Sequence, residues 1–130
     1  MIHIYTPSDK LFNYAEIEEL YNDCKELIGD DEFKDVIDRT LFFAFYDETE
    51  LIGCIYYYKL ADSLMYVNAF AHRKHHELNL ECFKYSLSWF DCDIYAKTQH
   101  RTAKLCLLRT GFKEVKKGLY KYIRSKQYGR

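Results

Sequence analysis

Apolar residues in the first quarter of the chain follow the period of a helix. They recur every three or four positions, at Tyr14, Ile17, Tyr21, Cys24 and Ile28. Asn13 stands where a helix cap is expected, and Glu16 follows three residues later as its reciprocal partner. The pattern therefore predicts an amphipathic helix that begins after Asn13 and ends at Gly29.

A second, shorter helix is predicted directly afterwards. Asp30 or Asp31 can cap it, and its inner face carries Phe33, Val36 and Ile37. The stretch that precedes both helices, Ile2–Tyr5, has the composition of a short β-strand. The amino-terminal third is thus predicted to be one strand and two helices.

The middle of the chain has the signature of a β-meander. Residues 40–46 and 51–60 are rich in strand-forming residues, and the polar residues 47–50 between them predict an antiparallel hairpin. A third strand is predicted over Leu64–Ala71. In the hairpin, Tyr57 should face opposite to Tyr56 and Tyr58, because side chains alternate across a strand. One of these faces could line a substrate cleft, although packing in the core explains the same pattern.

The remaining residues alternate between helix and strand. A helix is predicted over residues 77–90, with Leu78, Cys82, Phe83, Leu87 and Phe90 on one side. A strand over 93–98 follows, and then a helix capped by Thr102 that ends before a left-handed Gly111. Two last strands, 113–116 and 119–124, turn at Gly118. The order β-α-α-β-β-β-α-β-α-β-β predicts a single α/β (α+β) domain over residues 1–130, with a mixed sheet.

Composition narrows the class of protein. Hydrophobic residues make up 48% of the chain and charged residues 30%, which indicates a globular protein, and the 18% of aromatic residues predicts an aromatic core. No apolar run approaches the ~20 residues of a membrane span, and the first residues lack a secretory signal. We therefore expect no membrane association and a cytoplasmic location. The five cysteines stand alone, as buried thiols of a reducing compartment do.

Charge is divided unevenly along the chain. Residues 1–60 carry fourteen acidic and five basic side chains, whereas residues 97–130 carry eleven basic side chains and only Glu114 as an acid. The basic segment could attract an anion, whether cofactor phosphates, nucleic acid or an acidic protein. Alternatively, the acidic half could lie across the basic half and neutralise it.

The basic segment is also interleaved with tyrosines. Tyr120, Tyr122 and Tyr128 stand among lysines and arginines over residues 113–130, a composition that nucleic-acid surfaces share. Residues 119–124 nevertheless alternate as an ordinary edge strand does, and we favour the strand over the nucleic-acid interpretation.

The junction after the third strand concentrates candidate chemistry. Five consecutive polar residues occur there, namely His72, Arg73, Lys74, His75 and His76. Cations at a helix start could hold an anion, and the same residues could equally form a solvated turn. His72 is the candidate base, since histidine changes charge near neutral pH, although a strand-end histidine is more often structural. No carboxylate or cysteine has the spacing to complete a metal site with these histidines, so no metal is predicted.

Three segments in this order resemble the GCN5-related N-acetyltransferase (GNAT) superfamily. Residues 50–55 (ELIGCI) are similar to a family hairpin strand, x-x-L-V-G-x-I, and residues 65–72 (MYVNAFAH) to a strand ending in V-H-P. The family pattern N-x-x-A-x-x-x-Y-x-x-x-G-F-x-x-V is matched at Ala103, Gly111, Phe112 and Val115. The resemblance extends over residues 2–124 and implies a twisted mixed sheet with helices on both faces.

This resemblance also implies an activity and a set of site residues. Members of the superfamily transfer an acyl group from acetyl-CoA or a related acyl-CoA to an amine. By resemblance, the cofactor would enter between the strand ending at Ala71 and the strand at 93–98, with the backbone of Phe70 and Ala71 on its pantetheine arm. The residues expected near its phosphates and pantetheine are Arg73, Lys74, His75, His76 and, at the position of the family asparagine, His100; His72 would be the catalytic base.

Two departures from the family pattern support a second hypothesis. The glycine-rich turn Q/R-x-x-G-x-G/A is replaced by residues 73–81, which contain no glycine, and the frequent general-acid tyrosine is replaced by Leu107. The alternative is a non-catalytic GNAT-like binding or structural module that has lost its cofactor and binds a protein assembly. A compact, glycine-poor chain with a basic helix start resembles the small acetyltransferase-like proteins of some tailed phages. That resemblance would imply a virion-associated location. A third hypothesis is nucleic-acid binding through the basic carboxyl-terminal segment.

Overall fold

The computed structural model describes residues 1–28 and 31–124. Within them the predicted order of elements is found, with one 3₁₀ turn added at Arg73–His75. The helices are α1 (Tyr14–Ile28), α2 (Phe33–Arg39), α3 (His76–Leu87) and α4 (Arg101–Arg109). The strands are β1 (Ile2–Tyr5), β2 (Leu41–Asp47), β3 (Glu50–Ala61), β4 (Leu64–Ala71), β5 (Asp93–Lys97), β6 (Phe112–Lys116) and β7 (Leu119–Tyr122).

The strands form one mixed sheet in the order β1-β2-β3-β4-β5-β7-β6. Neighbouring strands are antiparallel except β4 and β5, which are parallel and joined through α3 as a crossover requires. Helices α1 and α2 pack on one face of the sheet and α3 and α4 on the other. The prediction of a mixed, twisted sheet with helices on both faces is confirmed.

Aromatic side chains fill both interfaces between sheet and helices. On the α1–α2 side, the Phe42 ring stacks on Tyr56 and meets Phe33 and Phe70 at ring-centroid distances of 5.4 to 6.2 Å. On the α3 side, the Tyr57 hydroxyl is hydrogen-bonded to the Ser86 hydroxyl at 2.6 Å. Tyr56 and Tyr57 therefore point to opposite faces as predicted, and both serve the core rather than a cleft.

The capping of the first two helices differs in part from the prediction. Asn13 does cap α1, because its Oδ1 accepts the Glu16 amide at 3.2 Å. The Glu16 carboxylate, however, accepts the Tyr46 hydroxyl at 2.7 Å and so ties α1 to β2. Glu32, not Asp31, precedes α2, and it makes no side-chain cap. The predicted Gly29 stop and Asp30 cap lie outside the described residues.

The last two helices have bounds different from those predicted. Helix α3 ends at Leu87 rather than at Phe90, because the Ser88 hydroxyl donates to the Tyr85 carbonyl at 2.6 Å and closes the last turn. Helix α4 begins at Arg101, so that His100 rather than Thr102 holds the cap position. The Thr98 hydroxyl accepts the His100 amide at 3.1 Å and keeps His100 extended. Gly111 has a φ of 104°, which confirms the predicted left-handed position.

No helix in the described part of the chain is long and apolar enough to cross a membrane. All five cysteines are free thiols, of which Cys54 and Cys82 are buried and the other three half-buried. Burial raises the pKa of the Cys82 thiol to about 11, so this thiol is inert near neutral pH.

Candidate active site

The two parallel strands at the centre of the sheet separate before they end. Strand β4 pairs with β5 only from Leu64 to Tyr66, opposite Asp93 to Tyr95, although β4 continues to Ala71 and β5 to Lys97. Beyond this point β5 is paired only with β7, along its other edge. The gap leaves backbone of both strands without a ladder partner between them, and it opens a cavity in the middle of the molecule.

The cavity has a volume of about 810 Å³ and lies between three helices and the two separated strands. Its lining includes the unpaired part of β4, the ends of β5 and α1, and the first turns of α3 and α4. A smaller cavity of about 420 Å³ adjoins it along α4 and shares His76, Thr102 and Cys106 with it. This size suits a ligand of small-molecule or cofactor dimensions.

The predicted site residues divide into two groups in the structure. Six line the cavity: Phe70, Ala71, His72, Arg73, His76 and His100. Two do not. The Lys74 ammonium and the His75 ring both bind Glu50 of β3, at 2.6 and 2.8 Å. Hydrogen bonds from Lys74 and then His75 lower the pKa of Glu50 to about 2, so this carboxylate stays charged and holds the 3₁₀ turn against β3.

Cations gather where α3 and α4 begin. Arg73 and Arg101 are exposed, line the cavity and make no ion pair within the described part of the chain. Glu77, in the first turn of α3, does not pair with them, because both of its carboxylate oxygens accept hydrogen bonds from Arg109, at 3.0 and 3.1 Å. The positive ends of two helix dipoles meet here as well. An anion is therefore favoured at this end of the cavity, even though the turn contains no glycine.

Arg101 was not among the predicted site residues. Its helix start was expected two residues later, and Arg101 was counted only within the general basic charge of residues 97–130. A signal was present, because a β-α junction at the same sheet edge as residues 72–76 brings its first helical residue beside them. The structure shows that the cationic group combines residues from both junctions.

Asn79 contributes an unsatisfied polar atom to the cavity wall. Its side chain is buried, and its Oδ1 has no hydrogen-bond partner among the described residues. The neighbouring strand position is Gly53, where an added Cβ would lie 2.6 Å from the Phe70 carbonyl oxygen and 2.7 Å from Asn79 Oδ1. Gly53 is therefore required for α3 to sit this close to β3, and Asn79 Oδ1 is shielded against Gly53, where solvent does not reach it.

His72 is positioned by its backbone. Its amide donates to the Ile52 carbonyl at 3.1 Å, and its half-buried ring lies 6.3 Å from the His75 ring. On the α1 side of the cavity, Asp23 is the one acidic residue among the described lining residues. The cavity thus combines a histidine at the end of a strand with charges of opposite sign on different walls.

The α4 side of the cavity carries the thiol of Cys106. It has no hydroxyl at position 107, where the resemblance described above implies a tyrosine. Leu107 occupies that position and is buried in the core, and its aliphatic side chain has no proton to donate. Cys106 lies beside it with its Sγ 3.5 Å from His76 Nε2, and burial raises the pKa of this thiol. Within the described residues no three metal-ligating side chains come together.

No protein-family profile and no curated protein sequence matches the chain. Among solved structures, an acetyltransferase of the GNAT family from Staphylococcus aureus Mu50 is similar, with a TM-score of 0.66 and 15% identity over 93% of this chain and 98% of that one. An acetyltransferase from Streptococcus agalactiae 2603 has a TM-score of 0.69 and 14% identity, over 95% and 98% of the two chains.

A eukaryotic structure gives the same result. Arabidopsis thaliana NAA60, solved in complex with a bisubstrate analogue, has a TM-score of 0.63 and 18% identity over 96% of this chain and 100% of that one. At such low identity the likeness concerns the fold alone.

Proposed function

Since the chain has a GNAT-like fold, we propose that it is an N-acyltransferase that moves the acyl group of acetyl-CoA or a related acyl-CoA to an amine. The observation that carries this proposal is the 810 Å³ cavity at the separated ends of β4 and β5, with arginines on its α3–α4 wall and Asp23 on its α1 wall. An anionic donor and a cationic acceptor would each meet the opposite charge there.

The donor would be held by its phosphates and its amides. Arg73 and Arg101 would contact the phosphates, assisted by His76 and His100, because none of these side chains is neutralised by a carboxylate in the described residues. The backbone of Phe70 and Ala71 suits the amide groups of a pantetheine arm, because both residues lie beyond the last pair between β4 and β5 and line the cavity. Lys74 and His75 have no part in this, since Glu50 engages them.

The chemistry requires one base. The amine nitrogen attacks the thioester carbonyl, a C–N bond forms, the C–S bond breaks, and His72 takes the proton that the amine loses. The sulfur leaves as a thiolate and receives its proton from water, because Leu107 offers none. An ordinary thiol has a pKa of about 8.5, low enough for the thiolate to leave without a general acid.

The glycine-free turn and Leu107 favour a second candidate, a GNAT-like binding or structural module without catalysis. Calorimetric titration with acetyl-CoA separates the two candidates, with dephospho-CoA and desulfo-CoA as companion ligands. Saturable heat that weakens without the 3′-phosphate supports the acyltransferase. No heat at millimolar ligand contradicts it and leaves the protein-assembly module.

Neighbouring cations provide a matched control. Arg73→Ala and Arg101→Ala should each weaken acetyl-CoA binding about tenfold, the low end expected for a charge-assisted hydrogen bond. Lys74→Ala, next in the chain, should leave the affinity unchanged. His72→Ala should retain acetyl-CoA binding and lose acyl transfer to an amine. If Lys74→Ala weakened binding as much as Arg73→Ala, the proposed phosphate site would be wrong.

A further inference from the structure

One face of the sheet carries a regular arrangement of tyrosines and lysines. The register places Tyr66, Tyr95, Lys121 and Lys113 side by side in a single row across β4, β5, β7 and β6. A second row, two residues along, contains Lys97, Leu119 and Lys116. Residues directly opposite each other on paired strands project to the same face, so these seven form one surface, here called the tyrosine–lysine face.

The tyrosine–lysine face is open to solvent in the described part of the chain. Helices α1 and α2 cover the same side of the sheet only over β2, β3 and β4, and α3 and α4 lie on the other side. Lys97, Lys113 and Lys116 are exposed, and Tyr66, Tyr95 and Lys121 are half-buried. Adjacent strands lie about 4.8 Å apart, so the first row extends over roughly 14 Å.

Contacts within the face hold its aromatic rings in place. The Tyr66 and Tyr95 rings are 6.0 Å apart between centroids and tilted by 35°. The Lys97 ammonium lies 5.0 Å from the Tyr66 centroid, and the Lys121 ammonium lies 5.7 Å from the Tyr95 centroid. Asp93 pairs with Lys121 at 3.8 Å and is the one acidic side chain of the described residues that the register places on this face.

The charge of this face is not neutralised by the acidic half of the chain. Between residues 1–60 and residues 97–124, the described parts of the chain form no ion pair. Two of the three tyrosines that the sequence places among the basic residues do not belong to this face, because Tyr120 is buried and Tyr122 packs against the core. The third, Tyr128, lies outside the described residues. Tyr66 and Tyr95 are the tyrosines that this basic surface presents.

We propose that the tyrosine–lysine face binds single-stranded nucleic acid, at a surface that shares Lys97 alone with the lining of the cavity. Unstacked bases would displace the Lys97 and Lys121 ammoniums from the Tyr66 and Tyr95 rings, and phosphates would then meet these two lysines together with Lys113 and Lys116. A single strand is favoured because its bases are free to stack on side chains, whereas the bases of a duplex are stacked on each other. An acidic polypeptide would use the lysines and leave the rings without a partner.

Fluorescence anisotropy with labelled oligothymidylate and oligouridylate of about 16 nucleotides tests this directly. Each phosphate contact to a single strand adds about −0.7 to the slope of log K against log salt. Four lysines therefore predict a slope near −2.8 and a roughly 50-fold loss of affinity between about 50 and 200 mM salt. Lys113→Ala and Lys116→Ala should each make the slope less steep by about 0.7.

The tyrosine contribution has its own test. Tyr95→Leu should weaken binding by at least about fivefold at fixed salt with little change in slope, because stacking does not release counterions. Tyr95→Phe retains the ring and should restore the affinity. Lys104→Ala, on α4 at the other side of the sheet, is the matched control and should change neither quantity. Thermal melts confirm that each variant is folded.

Several results would overturn the proposal. The first is that no binding is detected at about 50 mM salt with protein up to about 100 µM, which is the weak end of non-specific affinities. Equal competition by polyglutamate of matched charge would assign the face to an acidic protein. A dimer in sedimentation at low salt that Lys113→Ala abolishes would assign it to a second copy of this chain. Acetyl-CoA calorimetry is unaffected by these results, so failure here is distinct from failure of the proposed acyltransferase.

Discussion

The two halves of the sheet differ in how many of their faces are covered by helices. In the first half-sheet, β1 to β4, the inner strands are covered by α1 and α2 on one face and by α3 on the other. In the second half-sheet, β5, β7 and β6, the described residues cover only the α3–α4 face. The halves meet through three residue pairs, Leu64 to Tyr66 with Asp93 to Tyr95.

This difference separates structural residues from residues that a ligand can reach. Aromatic side chains of β2 and β3 are buried by packing against one another, as the stacked rings of Phe42 and Tyr56 show. Tyr66 and Tyr95, at the join and in the second half-sheet, remain accessible beside lysines. On the α1–α2 face of the sheet, tyrosine thus stabilises the fold over β3 and offers a surface over β4 and β5.

The largest expected contrast between the halves comes from truncating matched aromatic residues. Phe42→Ala should lower the free energy of unfolding by about 3–5 kcal/mol, because it empties the centre of the α1–α2 cluster. Tyr95→Ala, on the same face of the second half-sheet, should cost less than about 2 kcal/mol. Urea unfolding of both variants measures this, and equal losses would contradict the division into halves.

A smaller effect is expected where α3 approaches β3. Gly53→Ala should destabilise the fold by about 1–3 kcal/mol, since the new Cβ would collide with the Phe70 carbonyl oxygen, the Ala71 Cβ and Asn79 Oδ1. Denaturant unfolding checks the loss. A variant as stable as the natural chain would show that α3 can move away without cost, and the cavity wall at Asn79 would then be adaptable.

The buried hydroxyl pair under α3 should contribute less. Tyr57→Phe removes the bond to the Ser86 hydroxyl, which still donates to the Phe83 carbonyl at 2.9 Å. Because Ser86 retains a partner, we expect a loss of about 1 kcal/mol in thermal or urea unfolding. The double variant Tyr57→Phe/Ser86→Ala should then cost little more than either change alone.

The smallest effect is expected at Glu50 and depends on pH. Its pKa is lowered to about 2 in the folded protein from an ordinary 4.5, chiefly by the hydrogen bond from Lys74. This carboxylate therefore stabilises the fold fully above pH 4.5, and the stabilisation is lost as the pH falls from 4.5 to 2. Comparing unfolding of the natural chain and Glu50→Gln at pH 6 and pH 3 should show a difference that shrinks at the lower pH.

The elements of this fold could largely be predicted from sequence because their signals are local. The helical spacing from Tyr14 to Ile28 and the two hairpins were recognisable from side-chain patterns alone, and the strand predicted from Leu64 to about Ala71 is observed over Leu64–Ala71. The helix caps were less predictable, since a tertiary hydrogen bond to Tyr46 takes the Glu16 carboxylate and Thr98 holds His100 at the cap of α4.

The site was only partly accessible to sequence reasoning. Four basic residues in a row, Arg73 to His76, looked equivalent, yet two face the cavity and two face Glu50. The distinction depends on a 3₁₀ turn and on a carboxylate 24 residues before Lys74, which no local pattern encodes. The partnership of Arg73 with Arg101 likewise exists only once the strands are placed side by side.

The short join between the half-sheets also bears on how the molecule opens. Strands β5, β6 and β7 follow one another in the chain and share just three residue pairs with β4. We expect their amides to exchange hydrogen with solvent as one cooperative group, at a lower opening free energy than the amides of β2 and β3. Because the cavity lies along this seam, each such opening would widen it, and a bound ligand that bridges both strands would slow the exchange of the whole group.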